Sequence, residues 1–381
     1  MTNNRIRMND IEPHISKEKF ATEIFPTMCI GHTYQPAIMP AVRRIIVLGD
    51  IHGDLELALN LLKIAKLIRQ DGNIISWIGG STYVVQVGDQ IDRCRPISNM
   101  QCNNPMTTHN DEASDMKILK LFTDLHNQAK LVGGAVISLL GNHELLNSLG
   151  HLDYVSYKGL QEFEKYVDPA NPHIKFRNGA DARTHAFAPG HEIGKFLACT
   201  RYPAVIIGSN LFVHAGIVDG LIAEIGLKGI QDFETINVAI RMWLLGLLKK
   251  KYIKNIIKSS PTSMFWTRIL GNIPPNVELN NPACMSHIGQ VLKLFQVGSI
   301  FIGHTPQSFT YSDDINSTCG TKIWRVDNGS SSAFHRFDRD YMMNGKVKYS
   351  RRPQILEIID DKIFNVCDNI EGINCKSSVR Q

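Results

Sequence analysis

Five apolar runs in this 381-residue sequence each end in a short polar string that contains Asp, Asn or His. The strings occupy positions 49–54, 88–93, 141–144, 214 and 303–304. Short apolar runs bounded in this way are typical of buried β-strands, and helical patterns separate several of them. Such alternation predicts an α/β fold in which helices cover the sheets. Functional groups in these folds gather at the carboxyl ends of strands, so we expect the five strings to meet at one site.

The residue types in these strings are those that bind borderline divalent metal ions. Carboxylate oxygens and imidazole nitrogens suit Mn, Fe and Zn, whereas structural zinc sites usually use thiolates, which the strings lack. Two cations about 3.5–4 Å apart need a shared carboxylate to offset their repulsion, and Asp89 is the candidate bridge. Asp50 and His52 would share the first ion with it. The full set of predicted metal ligands is Asp50, His52, Asp89, Asn142, His214 and His304.

Three further side chains beside the predicted ligands indicate phosphoryl-transfer chemistry. His143 directly follows a ligand, so it points elsewhere and is placed to protonate a leaving oxygen as a general acid. Asp92 would hold the other nitrogen of that imidazole and favour its charged form. Arg93 offers a planar fork of donors for phosphate oxygens. The pattern therefore predicts a two-metal hydrolase of phosphate esters.

Three of the strings resemble the signature of the PPP-type metallophosphatases, which have the calcineurin-like metallophosphoesterase fold. They read Gly-Asp-Ile-His-Gly-Asp, Gly-Asp-Gln-Ile-Asp-Arg and Gly-Asn-His-Glu, and the wider match covers roughly residues 44–335. The resemblance implies two mixed β-sheets in a sandwich flanked by helices (α/β/β/α). It also implies the metal ligands given above, with His143 and Asp92 as the acid dyad and Arg93 as a phosphate clamp.

Departures from the eukaryotic pattern indicate a particular branch of that family. Leu140 stands where the eukaryotic enzymes usually have Arg, and Cys94 stands where they have Gly. The segments 265–268 (Phe-Trp-Thr-Arg) and 303–307 (Gly-His-Thr-Pro-Gln) resemble the bacterial-type Shewanella-like phosphatases. On that resemblance, Arg268 is the second phosphate-binding arginine.

The order of the motifs predicts one catalytic domain, although the length would allow two or three domains of average size. We expect an N-terminal extension over 1–40, the catalytic domain over 41–366 with an inserted subdomain at about 150–200, and a polar C-terminal tail over 367–381. Periodicity predicts a long helix over 229–258, and Asp360-Asp361 predicts a hairpin turn. His185 and His191 are expected to be surface or internally bonded histidines rather than substrate-loop residues.

Composition excludes several classes of partner and compartment. The formal net charge of +5 is too mild over this length to predict nucleic-acid binding, and no uncharged apolar run is long enough to predict a membrane span. The eight cysteines form no Cys-x-x-Cys pair, so we expect reduced thiols. These features, without a secretory signal, favour the cytoplasm. Frequent Asn, Ile and Lys are compatible with an AT-rich genome such as that of a large DNA virus, which would place the chain in the host cytoplasm or the virion.

The expected activity is that of a phosphoprotein phosphatase acting on phosphoserine and phosphothreonine, with phosphotyrosine as a further substrate. A hydroxide bridging two divalent ions, Mn in the first place and Fe or Zn as alternatives, would attack phosphorus directly. Arg93 and Arg268 would orient the phosphoryl group while His143 protonates the leaving oxygen. Two alternatives stay open: a dinucleoside polyphosphate hydrolase, whose nucleotide pocket would be the 150–200 insert, and a pseudophosphatase scaffold, which predicts a broken ligand set. A metallo-nuclease is disfavoured, and the sequence predicts no oligomeric state.

Overall fold

The computed structural model describes residues 6–97, 99–335, 337, 352–369 and 374–380. Its strands are β1 (Ile38–Met39), β2 (Arg44–Leu48), β3 (Ile68–Asp71), β4 (Ile74–Trp77), β5 (Tyr83–Gln86), β6 (Ala135–Leu139), β7 (Arg201–Tyr202), β8 (Ala204–Ile207), β9 (Asn210–Val213), β10 (Ser299–Ile302), β11 (Asn316–Thr318), β12 (Ile323–Arg325), β13 (Ile355–Ile359), β14 (Ile363–Cys367) and β15 (Cys375–Val379).

Its α-helices are α1 (Met8–Ile11), α2 (Lys17–Lys19), α3 (Phe25–Met28), α4 (Leu55–Ile64), α5 (Asp115–Lys130), α6 (Asn142–Ser148), α7 (Tyr157–Gln161), α8 (Gly179–Phe187), α9 (Glu192–Thr200), α10 (Asp219–Ile225), α11 (Ile230–Leu244), α12 (Lys254–Ile257) and α13 (Pro282–Phe295). A π-helical turn, Phe20–Ile24, joins α2 to α3.

Two mixed sheets form the centre of the molecule, as predicted. The seven-stranded sheet has the order β15-β14-β13-β2-β5-β6-β7, in which β2, β5, β6 and β7 are parallel. The six-stranded sheet has the order β1-β8-β9-β10-β12-β11. The predicted hairpin at Asp360-Asp361 is present between β13 and β14, and both aspartates have positive φ, as a tight turn of this kind requires.

The alternation of side chains along β2 explains the layered arrangement. Ile45 and Val47 belong to the core shared with the six-stranded sheet, where the Phe301 and Phe364 rings meet with centroids 6.0 Å apart. Ile46 and its neighbours on the opposite face belong to a second core with α4 and α5. Because a strand presents successive residues to opposite faces, a continuous apolar run buries both faces. The α/β/β/α sandwich follows from this pattern.

The predicted long helix over 229–258 is wrong in its second half. Helix α11 ends at Leu244, and the chain turns at Gly246, whose φ is +79°. A Cβ at Gly246 would lie 2.9 Å from the Cα of Gly190, so the two segments cross at close range. A short helix, α12, resumes at Lys254. The apolar periodicity continues through the break because both pieces pack on the same core.

The cysteines are not reduced thiols, so that prediction is wrong. All eight are paired, as Cys29–Cys199, Cys94–Cys102, Cys284–Cys319 and Cys367–Cys375. The partners lie 8 to 170 residues apart, and only the fold brings them together, which is why their spacing carried no signal. Disulfides persist mainly in oxidising compartments, and the cytoplasmic location stays a prediction.

The C-terminal segment is part of the sheet in the residues that the structure describes. Strand β15 pairs antiparallel with β14, so the seven-stranded sheet continues past residue 366 into the predicted tail. The N-terminal segment likewise contributes β1 and buries Phe20 and Phe25 in the core. Both terminal segments thus contact the sheets or the core. The domain boundaries at residues 40 and 366 stay predictions. Among the described residues, no helix has the length and apolar character needed to cross a membrane.

Candidate active site

The five polar strings follow the carboxyl ends of β2, β5, β6, β9 and β10, so strands of both sheets contribute to one site. Most of their residues lie in loops, whereas residues 142–144 form the first turn of α6. Glu144 joins two of these loops, because its carboxylate accepts the backbone N–H groups of Gly141 (2.6 Å), Asp89 (3.0 Å) and Gln90 (2.8 Å). His52, Asp89, Asp92 and His304 all have positive φ. Non-glycine residues in this region cluster at functional sites, where the surrounding structure stabilises them.

Two glycines allow the loops to approach the carboxylates closely. A Cβ at Gly141 would lie 2.1 Å from Oδ1 of Asp89, and one at Gly303 would lie 2.1 Å from Oδ1 of Asp50. Real Cβ atoms do not approach an oxygen so closely. Both positions therefore require glycine for a reason that the sequence alone does not reveal.

The predicted metal ligands converge around the carboxylate of Asp89. Its Oδ2 lies 3.3 Å from Nε2 of His214 and 3.7 Å from Nε2 of His52. Oδ2 of Asp50 lies 3.8 Å from the same His52 nitrogen, and Oδ1 of Asn142 lies 2.9 Å from Nε2 of His214. His304 shares a cluster of potential ligand atoms with Asp89 and His214. Asp89 thus lies between two ligand groups, as a bridging carboxylate must.

Each of the three histidines in this set uses one ring nitrogen on a backbone carbonyl. Nδ1 of His52 lies 3.4 Å from the oxygen of Ile91, and Nδ1 of His214 lies 2.9 Å from that of Val87. For His304 the bonded atom is Nε2, 3.2 Å from the Trp266 oxygen. A carbonyl can only accept, so the other nitrogen of the ring keeps its lone pair whenever the imidazole is neutral. Metal-binding histidines are usually oriented in this way.

The electrostatics of the cluster also favour cations. Burial and the carboxylates of Asp327 and Asp89 raise the pKa of Asp50 well above its usual range, and burial raises that of Asp327 to about 6. Oδ1 of Asp50 is buried and has no hydrogen-bond partner among the residues that the structure describes. Burial lowers the pKa values of His52 and His304, which keeps both rings neutral. Crowded carboxylates beside neutral imidazoles are a donor set that fits two divalent ions.

His143 and Asp92 form the predicted pair. Nδ1 of His143 lies 2.8 Å from Oδ2 of Asp92, and the backbone N–H of His143 donates to Oδ1 of Asp89. Asn147 donates to both oxygens of Asp92 at 2.9 and 3.0 Å. Arg183, fully buried in the insert, donates to Oδ1 of Asn147 at 2.7 Å. Asn147 and Arg183 therefore orient the dyad, and sequence reasoning missed both.

The two predicted phosphate-binding arginines differ in position. A cavity of about 480 Å³ beside the ligand cluster is lined by His52, Asp89, Asn142, His143, His304 and Arg268, among others. Arg268 donates through Nη1 to the carbonyl oxygen of His304 at 2.8 Å. Arg93 does not line this cavity; its Nη1 is bound by Glu112 instead. Arg95, which sequence reasoning did not select, lines it.

His185 lies outside the cavity lining. Its Nε2 is 2.7 Å from Oδ2 of Asp168, and its ring contacts that of His191 with centroids 4.1 Å apart. The expectation that His185 is an internally bonded histidine is confirmed.

Comparisons with known proteins agree with this geometry. The sequence profile of the calcineurin-like phosphoesterases matches residues 43–308. An uncharacterized protein of Acanthamoeba polyphaga mimivirus is 37% identical over 257 residues, covering 64% of this chain and 96% of the relative. The Shewanella-like protein phosphatase 2 of Arabidopsis thaliana is 29% identical over 317 residues, which is 76% of this chain and 71% of that protein.

A solved structure shows the same fold. The cold-active protein-tyrosine phosphatase of a psychrophilic Shewanella species superposes with a TM-score of 0.60 at 20% identity, covering 91% of this chain and 83% of that one. The predicted resemblance and the predicted sandwich are both confirmed. Divalent metal ions are a property of the family, and the donor set here fits them. The chain belongs to the calcineurin-like phosphoesterase family, resembles its Shewanella-like members, and is a phosphatase.

Proposed function

We propose that this phosphatase acts on phosphoproteins, hydrolysing phosphoserine and phosphothreonine esters and also phosphotyrosine. The observation that carries the proposal is the His143–Asp92 pair, 2.8 Å apart, on the wall of a cavity that the metal-ligand cluster and Arg268 share. A leaving alkoxide needs a proton, and this pair is placed to supply one. Relatives named as protein phosphatases support the same substrate class.

Each residue has a definite task in this proposal. Asp50, His52, Asp89, Asn142, His214 and His304 would hold two divalent ions, which we propose to be Mn, with Fe or Zn as alternatives. When bound, such ions neutralise phosphoryl oxygens and lower the pKa of a water molecule. His143 would donate the proton on its Nε2 to the departing oxygen. Before this transfer the ring would be a charged imidazolium, which the Asp92 carboxylate would stabilise. Arg268 would bind the phosphoryl oxygens.

The structure gives reasons to prefer this proposal over both alternatives. Tyr154 is the one residue of the 150–200 insert that lines the cavity among the described residues, so the insert offers little of the nucleotide pocket that a dinucleotide hydrolase needs. A pseudophosphatase would lack ligands, yet the predicted ligands converge. Phosphoproteins are accordingly the proposed partners.

A substrate panel tests the proposal. The metal-depleted full-length protein, resupplied with Mn, would be assayed on phosphoserine, phosphothreonine and phosphotyrosine peptides and on diadenosine tetraphosphate. We expect phosphate release from the peptides, little cleavage of the dinucleotide, and loss of activity with EDTA. Preferential cleavage of the dinucleotide, or release that EDTA does not affect, would contradict it.

A further inference from the structure

We propose that Arg95 binds the oxygens of the substrate phosphoryl group, the task that the sequence pattern assigned to Arg93. The inference rests on the proposed function, since it names a residue that recognises the same phosphate ester. Both arginines lie on the loop that follows β5, two positions apart. The structure directs their side chains to different surroundings.

Arg93 is committed to other partners. Its side chain is 6% exposed, and Nη1 donates to Oε1 of Glu112 at 2.8 Å and to the carbonyl oxygen of Gly53 at 3.0 Å. Oδ1 of Asp54 lies 3.8 Å from the same nitrogen. Two carboxylates thus offset the charge of Arg93. A phosphate would have to compete with them for this guanidinium.

Arg95 lines the cavity together with His52, Asp89 and His143. Its Nη1 donates to the backbone carbonyl oxygens of Asp92 (3.0 Å) and Cys94 (2.8 Å). Among the residues that the structure describes, no carboxylate lies within 4.0 Å of its guanidinium. No carboxylate among these residues therefore competes at close range for the guanidinium of Arg95, and Arg binds phosphate through such a fork.

Two aromatic rings hold the guanidinium of Arg95 in place. Its central carbon lies 4.8 Å from the ring centroid of Phe334 and 5.7 Å from that of Tyr154. The Tyr154 ring also meets the His143 ring edge to face, with centroids 4.9 Å apart, so Arg95 and the proposed general acid both pack against Tyr154. A side chain held before the ligand arrives loses less rotamer freedom when it binds.

The Cys94–Cys102 disulfide restrains the backbone that carries Arg95. The bridge closes a loop with a sequence separation of 8, and Arg95 is the first residue inside it. The backbone N–H of Cys94 donates to the carbonyl oxygen of Tyr154 at 3.1 Å, which fixes the loop to the cavity wall. We therefore expect the affinity for phosphate to depend on this bridge.

Binding of inorganic phosphate to the Mn-loaded full-length protein, measured by isothermal titration calorimetry, tests the role of Arg95. Arg95→Ala should weaken phosphate binding about 10- to 100-fold, the scale of a lost charge-assisted hydrogen bond. Arg95→Lys should lie in between, and Arg93→Ala should stay within about threefold. Metal content and thermal midpoint, measured on each variant, exclude a folding defect. Unchanged binding in Arg95→Ala, or an equal loss in Arg93→Ala, would overturn the proposal.

A pair of double variants tests whether phosphate affinity depends on the Cys94–Cys102 disulfide. Cys94→Ser/Cys102→Ser should weaken phosphate binding several-fold. Cys367→Ser/Cys375→Ser opens a bridge of the same sequence separation outside the cavity lining and should leave binding unchanged. Equal binding in the two double variants would overturn the dependence on the bridge. These binding measurements need no turnover. If the protein were inactive on every ester but still bound phosphate through Arg95, the proposed function would be refuted and the role of Arg95 would stand.

Discussion

The floor and the rim of the cavity are built in different ways. The floor, which we define as the six predicted metal ligands with His143 and Asp92, lies directly after strands of the two sheets, in short loops and in the first turn of α6. The rim, which we define as Arg95, Tyr154, Trp266, Arg268 and Phe334, comes from longer connections spread over the chain. Backbone hydrogen bonds at the strand ends fix the floor, whereas the Cys94–Cys102 disulfide and aromatic contacts restrain Arg95 on the rim.

The largest effect on metal content and turnover is expected from a substitution of Asp89, at the centre of the floor. Asp89→Asn removes the charge shared by both ligand groups, so metal retention should fall and turnover should drop by about three decades or more. Elemental analysis after desalting measures the first effect, and phosphate release the second. Asp71→Asn, an exposed change on β3, is the control. Two retained ions per chain in Asp89→Asn would contradict the bridging role.

An intermediate effect is expected from His143→Asn, which leaves the ligands in place. The variant should keep its metal ions and lose about two to four decades of kcat on phosphoserine, the usual scale for a general acid. The loss should be much smaller on p-nitrophenyl phosphate, because nitrophenolate leaves without a proton. Equal losses on the two substrates would exclude the role of acid. His151→Asn, exposed and outside the cavity lining, serves as the comparison.

The smallest effect is expected from Asn147→Ala, which tests whether the helix α6 residue acts through the dyad. Losing its hydrogen bonds to Asp92 should cost about tenfold in kcat on phosphoserine. As with His143, the cost should shrink on p-nitrophenyl phosphate, a pattern that general damage to the fold would not produce. Asn127→Ala, exposed on α5, should match the unmodified protein. A loss independent of the leaving group would reduce Asn147 to a structural residue.

Sequence reasoning located a turn correctly where a short polar string directly follows a buried strand. Asp50 and His52 lie two positions apart in one turn, and the buried strand before them placed that turn at the carboxyl edge of a sheet. It could not predict the direction of a side chain that depends on contacts with a distant segment. Whether Arg93 or Arg95 faces the cavity depends on Glu112 and on a disulfide, neither of which is visible in the local pattern.

The 150–200 insert also contains a residue whose role depends on distant partners and could not be predicted from the sequence. Arg183 lies on α8, a helix with little amphipathic pattern, so nothing in the sequence marked it as buried. Its Nη2 donates to Oδ2 of Asp115 at 2.7 Å, and that carboxylate accepts the backbone N–H of Asp92. A buried arginine becomes informative only when its partners are known. The predicted subdomain at 150–200 therefore contributes to the site through contacts that no motif reports.

The Cys29–Cys199 bridge makes part of the chain into a covalent ring. The ring has a sequence separation of 170 and contains the first three polar strings, while His214 and His304 lie outside it. In the loop-entropy account, a closure of this length disfavours the unfolded state by about 5 kcal/mol. A protease that cuts once within the ring opens it without releasing a fragment. A nicked molecule would therefore keep its apparent mass on a gel until a reductant is added.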